Sequence, residues 1–263
     1  MATPLAVQTY TPDQPDEGLP PVLLIHGLCS DGHRDWVETG TVAALTDAGR
    51  TAVVADLPGH GDSPAPAAAA EAGAGAIAVA LLAALDGALA GASAGASGGA
   101  FGGAFGGAFD VVGYSLGARL AWELPEAAPG RVRRAVLGGL SPAEPFAAVD
   151  IEALRAAVGG GPEPADPFTA MFAGMLGAQG DRAAGLVTCV EGLRSTPFEP
   201  TGWAGRTPPV FVVGQDDMMV RGIERIVGLA GAADPVTVPG DHFQVLASAE
   251  FRTAVVKALT GRE

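Results

Sequence analysis

Phe109-Asp110-Val111-Val112-Gly113-Tyr114-Ser115-Leu116-Gly117 reads as a short apolar strand, a sharp turn and the start of a helix that runs on to about Leu124. The pentapeptide Gly113-Tyr114-Ser115-Leu116-Gly117 fits the G-x-S-x-G pattern, and its setting between strand and helix gives the pattern physical meaning. A serine in such a turn sits in strained backbone with its hydroxyl exposed. The two glycines leave room for strand and helix to approach each other. The first N–H groups of the helix point toward whatever the hydroxyl attacks.

The chain has 263 residues, 48% of them hydrophobic, enough for one sizeable core. Fifteen Lys and Arg against 29 Asp and Glu leave a formal charge of −14. A surface this acidic repels nucleic acid and anionic membrane, so neither is expected as a partner; a small molecule is. The two cysteines, Cys29 and Cys189, are too few for a disulfide framework, and Cys29 reads as a small buried thiol. No His, Cys, Asp or Glu grouping has metal-ligand spacing, and neither a metal nor a cofactor is expected. The N-terminus shows no basic stretch followed by an apolar one, so a cytoplasmic protein without signal peptide is expected. Residues 76–92 are apolar but rich in Ala and Gly and broken by Asp86, a poor membrane span.

Along the chain, apolar runs alternate with helical periodicity. Residues 5–10 suit a short edge strand. Val22-Leu23-Leu24-Ile25 is an unbroken apolar run, as in a strand buried on both faces of a parallel sheet. Helices are expected over 35–49, 71–89, 220–229 and 247–259, and strands over 51–55, 132–137, 209–214 and 235–238. The pattern predicts an α/β fold, a mostly parallel central sheet with helices on both faces. Residues 141–208 are too long for a plain connection and carry Phe168, Met171, Phe172 and Met175 at helical spacing. This predicts a helical cap inserted at 141–205, with the core formed by 1–140 and 206–263. Residues 91–108 are low in complexity, with Gly-Gly-Ala-Phe ending at Phe101, Phe105 and Phe109, and read as a surface loop within the core.

A serine hydroxyl is a weak nucleophile unless a base stands beside it and an acid orients the base. Of the four histidines His26, His33, His60 and His242, the last lies in Pro239-Gly240-Asp241-His242-Phe243, a loop between the last strand and the last helix. The acid belongs after another strand, where Gly214-Gln215-Asp216-Asp217 follows Val210-Phe211-Val212-Val213. Either aspartate has the chemistry; Asp217 is preferred. The chain order is then Ser115, Asp217, His242.

These segments together resemble the α/β-hydrolase fold family, in its single-cap, serine esterase-like branch. The resemblance spans nearly the whole chain from Pro20. His26-Gly27 resembles the family's oxyanion loop, residues 56–63 its D-x-x-G-x-G-x-S turn, 113–117 its elbow, 214–217 its G-x-x-D acid turn and 239–243 its histidine loop. The acid is the family's fourth residue of that turn, which supports Asp217. The resemblance implies that Ser115 attacks a carbonyl, that His242 moves the proton, and that Asp217 orients His242. The backbone N–H groups of Leu28 and Leu116 would hold the oxyanion. His26 and His60 are expected to shape their loops, and His33 has no partner recognisable from sequence.

The implied reaction is hydrolysis of a small to medium carboxylic ester, thioester or lactone through an acyl-enzyme. Tyr114 and Arg119 are the candidate substrate contacts. Gly113 to Arg119 is also similar to the elbow of the menaquinone-pathway synthase branch, where the same triad abstracts a proton. There Arg119 would meet a substrate carboxylate, with Arg155, Arg182 and Arg194 as candidate helpers from the cap. Ala118 departs from that branch's glycine, and Arg119 reads otherwise as a residue on an exposed helix face. C–C hydrolases and cofactor-free perhydrolases share the triad. Dehalogenases and epoxide hydrolases of the family place an aspartate at the elbow, against which Ser115 argues. A non-catalytic ligand-binding protein on this fold would predict a damaged triad, and here all three residues are present.

Overall fold

The structure is a computed structural model and describes residues 3–16, 18–95 and 107–261. Among the described residues seven strands form one sheet, in the order β1-β3-β2-β4-β5-β6-β7. They are β1 (Val7–Tyr10), β2 (Val22–Ile25), β3 (Ala52–Ala55), β4 (Phe109–Tyr114), β5 (Val132–Gly138), β6 (Val210–Gly214) and β7 (Val236–Val238). Only β1, at the edge, runs antiparallel to its neighbour; the other pairs are parallel. The expected α/β fold with a mostly parallel sheet is the one observed.

Alternation along the strands divides the core in two. Leu23, Ile25, Val53, Ala55 and Val111 face one side, where helices α2 (Ala74–Gly95) and α3 (Leu116–Ala127) pack. Val22, Leu24, Val54, Val112 and Tyr114 face the other, against Trp36, Leu45, Phe251, Val255 and Leu259. Ile77, Leu81, Leu85 and Leu89 recur every fourth residue and seat α2 in the first core. By length and composition α2 passes for a membrane span, yet this stripe of it is buried against the sheet.

Several element boundaries differ from the sequence reading for local reasons. The helix expected over 35–49 is a π-helical turn (His33–Glu38) followed by α1 (Thr41–Asp47). The break falls at Gly40, whose φ of 80° no helix accommodates. Helix α2 continues to Gly95 through the first part of the segment read as a loop, because its single glycines are spaced among alanines. The rest of the Gly-Gly-Ala-Phe repeat up to residue 106 lies outside the described residues. The closing helix is two helices, α8 (His242–Leu246) and α9 (Ala249–Thr260), the latter capped by the Ser248 side chain accepting from Phe251 N–H. Between β5 and β6 stand α4 (Ile151–Val158), α5 (Pro167–Gly177) and α6 (Ala183–Arg194), and between β6 and β7 stands α7 (Glu224–Ala230).

An ionic cluster fixes the base of the sheet. Asp110, on β4, is fully buried. Its carboxylate accepts from Arg50 Nη2 at 2.6 Å, from Arg133 Nε at 2.9 Å and Nη2 at 2.5 Å, and from the Arg134 backbone N–H at 3.0 Å. Arg50 also donates to the Pro20 carbonyl, and Arg50 and Arg133 both donate to Leu259 O near the end of α9, where a helix presents unpaired carbonyls. We expect Asp110→Ala to leave Arg50 buried without a counter-charge and to cost about 3–5 kcal/mol in urea unfolding. A loss below about 1 kcal/mol, the range of an exposed pair, would show that the cluster does not hold the sheet.

Candidate active site

Ser115 stands between β4 and α3 with φ 54° and ψ −116°, a conformation that side chains other than glycine rarely adopt. Its surroundings enforce the conformation. Ser115 N–H donates to Gly138 O on β5 at 2.8 Å, and Ser115 O accepts from the N–H groups of Ala118 and Arg119. A Cβ on Gly113 would run into the Gly117 carbonyl, and one on Gly117 into the Ile25 carbonyl of β2. Leu116 is the first residue of α3, so its N–H has no acceptor one turn back in the helix.

Asp217 and His242 meet across two loops. Asp217 Oδ2 lies 2.7 Å from His242 Nδ1, with both residues buried. The other oxygen, Oδ1, accepts from Met219 N–H at 2.9 Å. The carboxylate can only accept when ionised, so Nδ1 of a neutral His242 carries the proton and Nε2 offers its lone pair. The loops are stitched together by Gln215 N–H to Val238 O at 2.8 Å and Asp216 N–H to Gly240 O at 3.1 Å. Asp216 itself is exposed, which separates the two neighbouring aspartates. His242 opens α8 rather than sitting in a free loop; Asp241 caps that helix, and Gln244 completes the capping box.

Tyr114, expected to contact substrate, turns its ring toward the second core and also borders a cleft shared with Ser115 and His242. Its hydroxyl donates to the His242 carbonyl at 2.5 Å, and its ring lies 5.3 Å from the imidazole. Burial, then Asp217, raises the Tyr114 pKa, which keeps the hydroxyl a donor. The reason is strand alternation: Tyr114 follows Val112 onto the face opposite Val111.

The turn after β2 is built by residues that sequence reading passed over. Asp35 is buried and accepts from Gly27 N–H at 2.9 Å and from the Ser30 hydroxyl. Cys29 carries a φ of 59°, so the chain reverses just after Leu28. His26 Nε2 accepts from Leu57 N–H at 2.9 Å, which leaves Nδ1 to donate to Gly27 O at 2.7 Å. Asp56 accepts from Gly32 and Asp62 N–H groups, and Ser63 Oγ donates to Asp56 O while accepting from Ala6 N–H. His26 and His60 thus shape their loops, as expected. Cys29 is half-buried, and burial pushes its thiol up to about 11, too high for a thiolate at neutral pH. His33 is exposed, 3.8 Å from Glu38.

Ser115 and His242 line one cavity of about 340 Å³ together with Leu28, Leu116, Phe146 and Met175. Met171, Phe172 and Phe198 complete much of its apolar wall. Of the methionine and phenylalanine stripe, Phe168 packs on Phe172, 5.2 Å between ring centroids, while the other three reach the cavity. Ser115 and His242 also border a second cleft of about 540 Å³, with Cys29, Arg34, Thr39 and Gln179. Arg119 is not on an exposed helix face. It is 3% exposed and paired with Glu144 at 2.8 Å, because residues 141–208 cover that side of α3, and it stands on the wall of the first cavity. Arg155 pairs with Glu191, and neither Arg182 nor Arg194 borders the first cavity. Among the described residues no group of three or more His, Cys, Asp or Glu is arranged to hold a metal.

Comparison with known proteins places the fold. The model of the alpha/beta hydrolase family matches residues 22–255, and the chain belongs to that family. No curated protein matches the sequence. A hydrolase from Pseudomonas aeruginosa PA01 is similar in structure, with a TM-score of 0.64 and 23% identity over 98% of this chain and 93% of that one. A marine microorganism esterase superposes with a TM-score of 0.66 at 16% identity, over 98% of this chain and 100% of its own. The enol-lactonase from Burkholderia xenovorans LB400 gives 0.63 at 18% identity, over 98% and 100%. At such identities the likeness is one of fold.

His60 supplies a test of the packing beneath the site. Its Nδ1 donates to Pro58 O at 2.9 Å, and Nε2 is buried without a partner. Burial first, then His26, lowers its pKa from 6.5 to about 3. The unfolded chain therefore binds a proton across this window that the folded chain refuses. Stability falls as pH falls from 6.5 toward 3, by at most about 1.4 kcal/mol per pH unit. We expect His60→Gln to flatten urea-unfolding stability between pH 6.5 and 5 relative to the wild type. Equal slopes in the two proteins would remove His60 as the cause.

Proposed function

We propose that this protein hydrolyses carboxylic esters, thioesters or lactones with a modest apolar acyl group, through an acyl-enzyme on Ser115. The observation that carries the reading is the shared cavity: Ser115 and His242 line one apolar chamber, and Asp217 holds the nitrogen of His242 on the far side of the ring. His242 Nε2 accepts the Ser115 proton as the hydroxyl attacks the carbonyl carbon. The imidazolium so formed is stabilised by Asp217, and returns the proton to the leaving oxygen or sulfur. Water then repeats the sequence on the acyl-enzyme. The N–H groups of Leu116, at the start of α3, and Leu28, in the turn braced by Asp35, face the developing oxyanion. Each such donor lowers the barrier by about 3 kcal/mol.

The two clefts divide the substrate. The 340 Å³ chamber is walled by apolar side chains and takes the acyl group. The 540 Å³ cleft, with Arg34 and Gln179 on exposed or half-buried positions, gives the leaving group a way to solvent. We read helices α4, α5 and α6 as the cap, since α5 contributes Met171, Phe172 and Met175 to the acyl chamber. The lyase alternative asks Arg119 to receive a substrate carboxylate, and its ion pair with Glu144 speaks against that use.

Fluorophosphonate labelling followed by peptide mapping tests the reading. Label is expected on Ser115 alone. Ser115→Ala is expected to lose the label and to lower turnover of an activated short-chain ester by about 10³-fold or more; Asp217→Asn should lower kcat by a similar order. Folded wild-type protein that takes no label and turns over no ester would overturn the proposal.

A further inference from the structure

Arg119 and Glu144 form a buried ion pair that is not needed for the chemistry just described. Their side chains are 4% and 6% exposed, and Arg119 Nη1 lies 2.8 Å from Glu144 Oε2. Burying two charges is costly, so a pair of this kind needs further bonds to persist. Those bonds all lead to the walls of the acyl chamber. Glu144 accepts from Phe146 N–H through Oε1 and from Phe198 N–H through Oε2, each at 2.9 Å. Arg119 Nη2 donates to Leu193 O at 3.2 Å and to Thr196 O at 2.5 Å, where α6 ends. The Arg119 guanidinium also lies over the Phe146 ring, 5.9 Å from its centroid.

Arg119 is four residues after Ser115, one helical turn along α3. It therefore links the helix that carries the serine to three segments that close the chamber: 144–146, 193–196 and 198. Phe146 and Phe198 both line that chamber, and Phe146 stacks edge-on against Phe172 at 5.7 Å. Phe198 meets Trp122 of α3 at 5.9 Å.

We propose that the Arg119–Glu144 pair sets the closed end of the acyl chamber and so determines which acyl lengths the enzyme accepts. Both are positioning residues: Glu144 acts through Phe146 and Phe198, Arg119 borders the chamber wall beside them, and neither side chain bonds to the serine or the histidine side chain. The proposal rests on the ester-hydrolase reading for its kinetic form, but not for its structural one. Lysine at 119 keeps the charge and loses the planar fork that reaches Glu144 and two carbonyls at once. Glutamine at 144 keeps the shape and removes the charge.

The test compares kcat/KM for p-nitrophenyl esters from acetate to octanoate in the wild type, Arg119→Lys, Glu144→Gln and the charge-neutral double variant Arg119→Met/Glu144→Gln. The expected result is a change of at least about fivefold in the octanoate-to-acetate ratio, carried by KM, with the rate of fluorophosphonate labelling of Ser115 within about twofold of wild type. A folded variant set, Arg119→Lys included, that melts lower yet keeps the wild-type ratio would assign the pair to stability alone and overturn the proposal. Should the wild type hydrolyse none of these esters, the ester reading fails by itself. Octanoate binding by calorimetry in the Ser115→Ala background then decides. Weakening or strengthening by at least about fivefold in Arg119→Lys supports the pair's role, and an unchanged Kd overturns it.

Discussion

The structure depends on holding one residue in a conformation it would not choose. Ser115 at φ 54° and ψ −116° costs on the order of 1–3 kcal/mol, and local sequence alone does not repay this. Three neighbours enforce it: the Gly138 carbonyl on β5, the Ile25 carbonyl on β2 and the carbonyl of Gly117 itself. Each comes from a different element, so the elbow exists only if β2, β4 and β5 are already in register. The Asp110 cluster secures that register at the opposite end of β4. It ties Arg50, which leads into β3, to Arg133 on β5 and to the final carbonyls of α9. One strand is thus pinned by charge at its base and bent by packing at its top.

The same logic fixes proton positions. Asp217 demands a proton on His242 Nδ1, and Leu57 N–H demands a lone pair on His26 Nε2. Tyr114 and Gly139 set where the His242 ring can lie. The first holds its backbone carbonyl, and the second leaves the space that a side chain would take from Cε1. Asp217, Tyr114 and Gly139 each limit the motion of the His242 ring. Proton transfer from Ser115 to His242, as proposed, needs the imidazole already turned toward the cavity with its lone pair free.

What was legible in the sequence follows from how local each signal is. An unbroken apolar run identified β2, and strand-turn-helix punctuation identified β4 and the elbow, because each is written within about ten residues. Asp217 could be chosen over Asp216 only through a motif, since their local chemistry is the same; the structure separates them by burial. Arg119 was misread because α3 periodicity shows a polar residue on the helix, while its cover comes from residues 141–208, beyond any helical window. Asp110 carried a signal that went unused: a charge inside an otherwise apolar strand requires a buried partner. Its partners Arg50 and Arg133 are 60 and 23 residues away, and spacing alone names neither. The break at Gly40 and the extension of α2 to Gly95 turn on the backbone angle of one glycine and on helix continuation through isolated ones.

The division of the chamber proposed for the acyl group between two parts of the chain has a functional consequence. Leu28, Ser115, Leu116 and His242 come from loops at the carboxyl ends of the strands, whereas Phe146, Met171, Phe172, Met175 and Phe198 come from the segment between β5 and β6. The first group is fixed by the sheet and by the bonds that hold the elbow. The second is fixed by helix packing within its own segment, by α6 against residues 65–72 of the core, and by the pairing of Glu144 with Arg119 of α3. Substitutions in that segment can therefore reshape the chamber without disturbing the backbone at Ser115 or the bond between Asp217 and His242. In a fold that serves many reactions, this separation lets the substrate change while the nucleophile stays as it is.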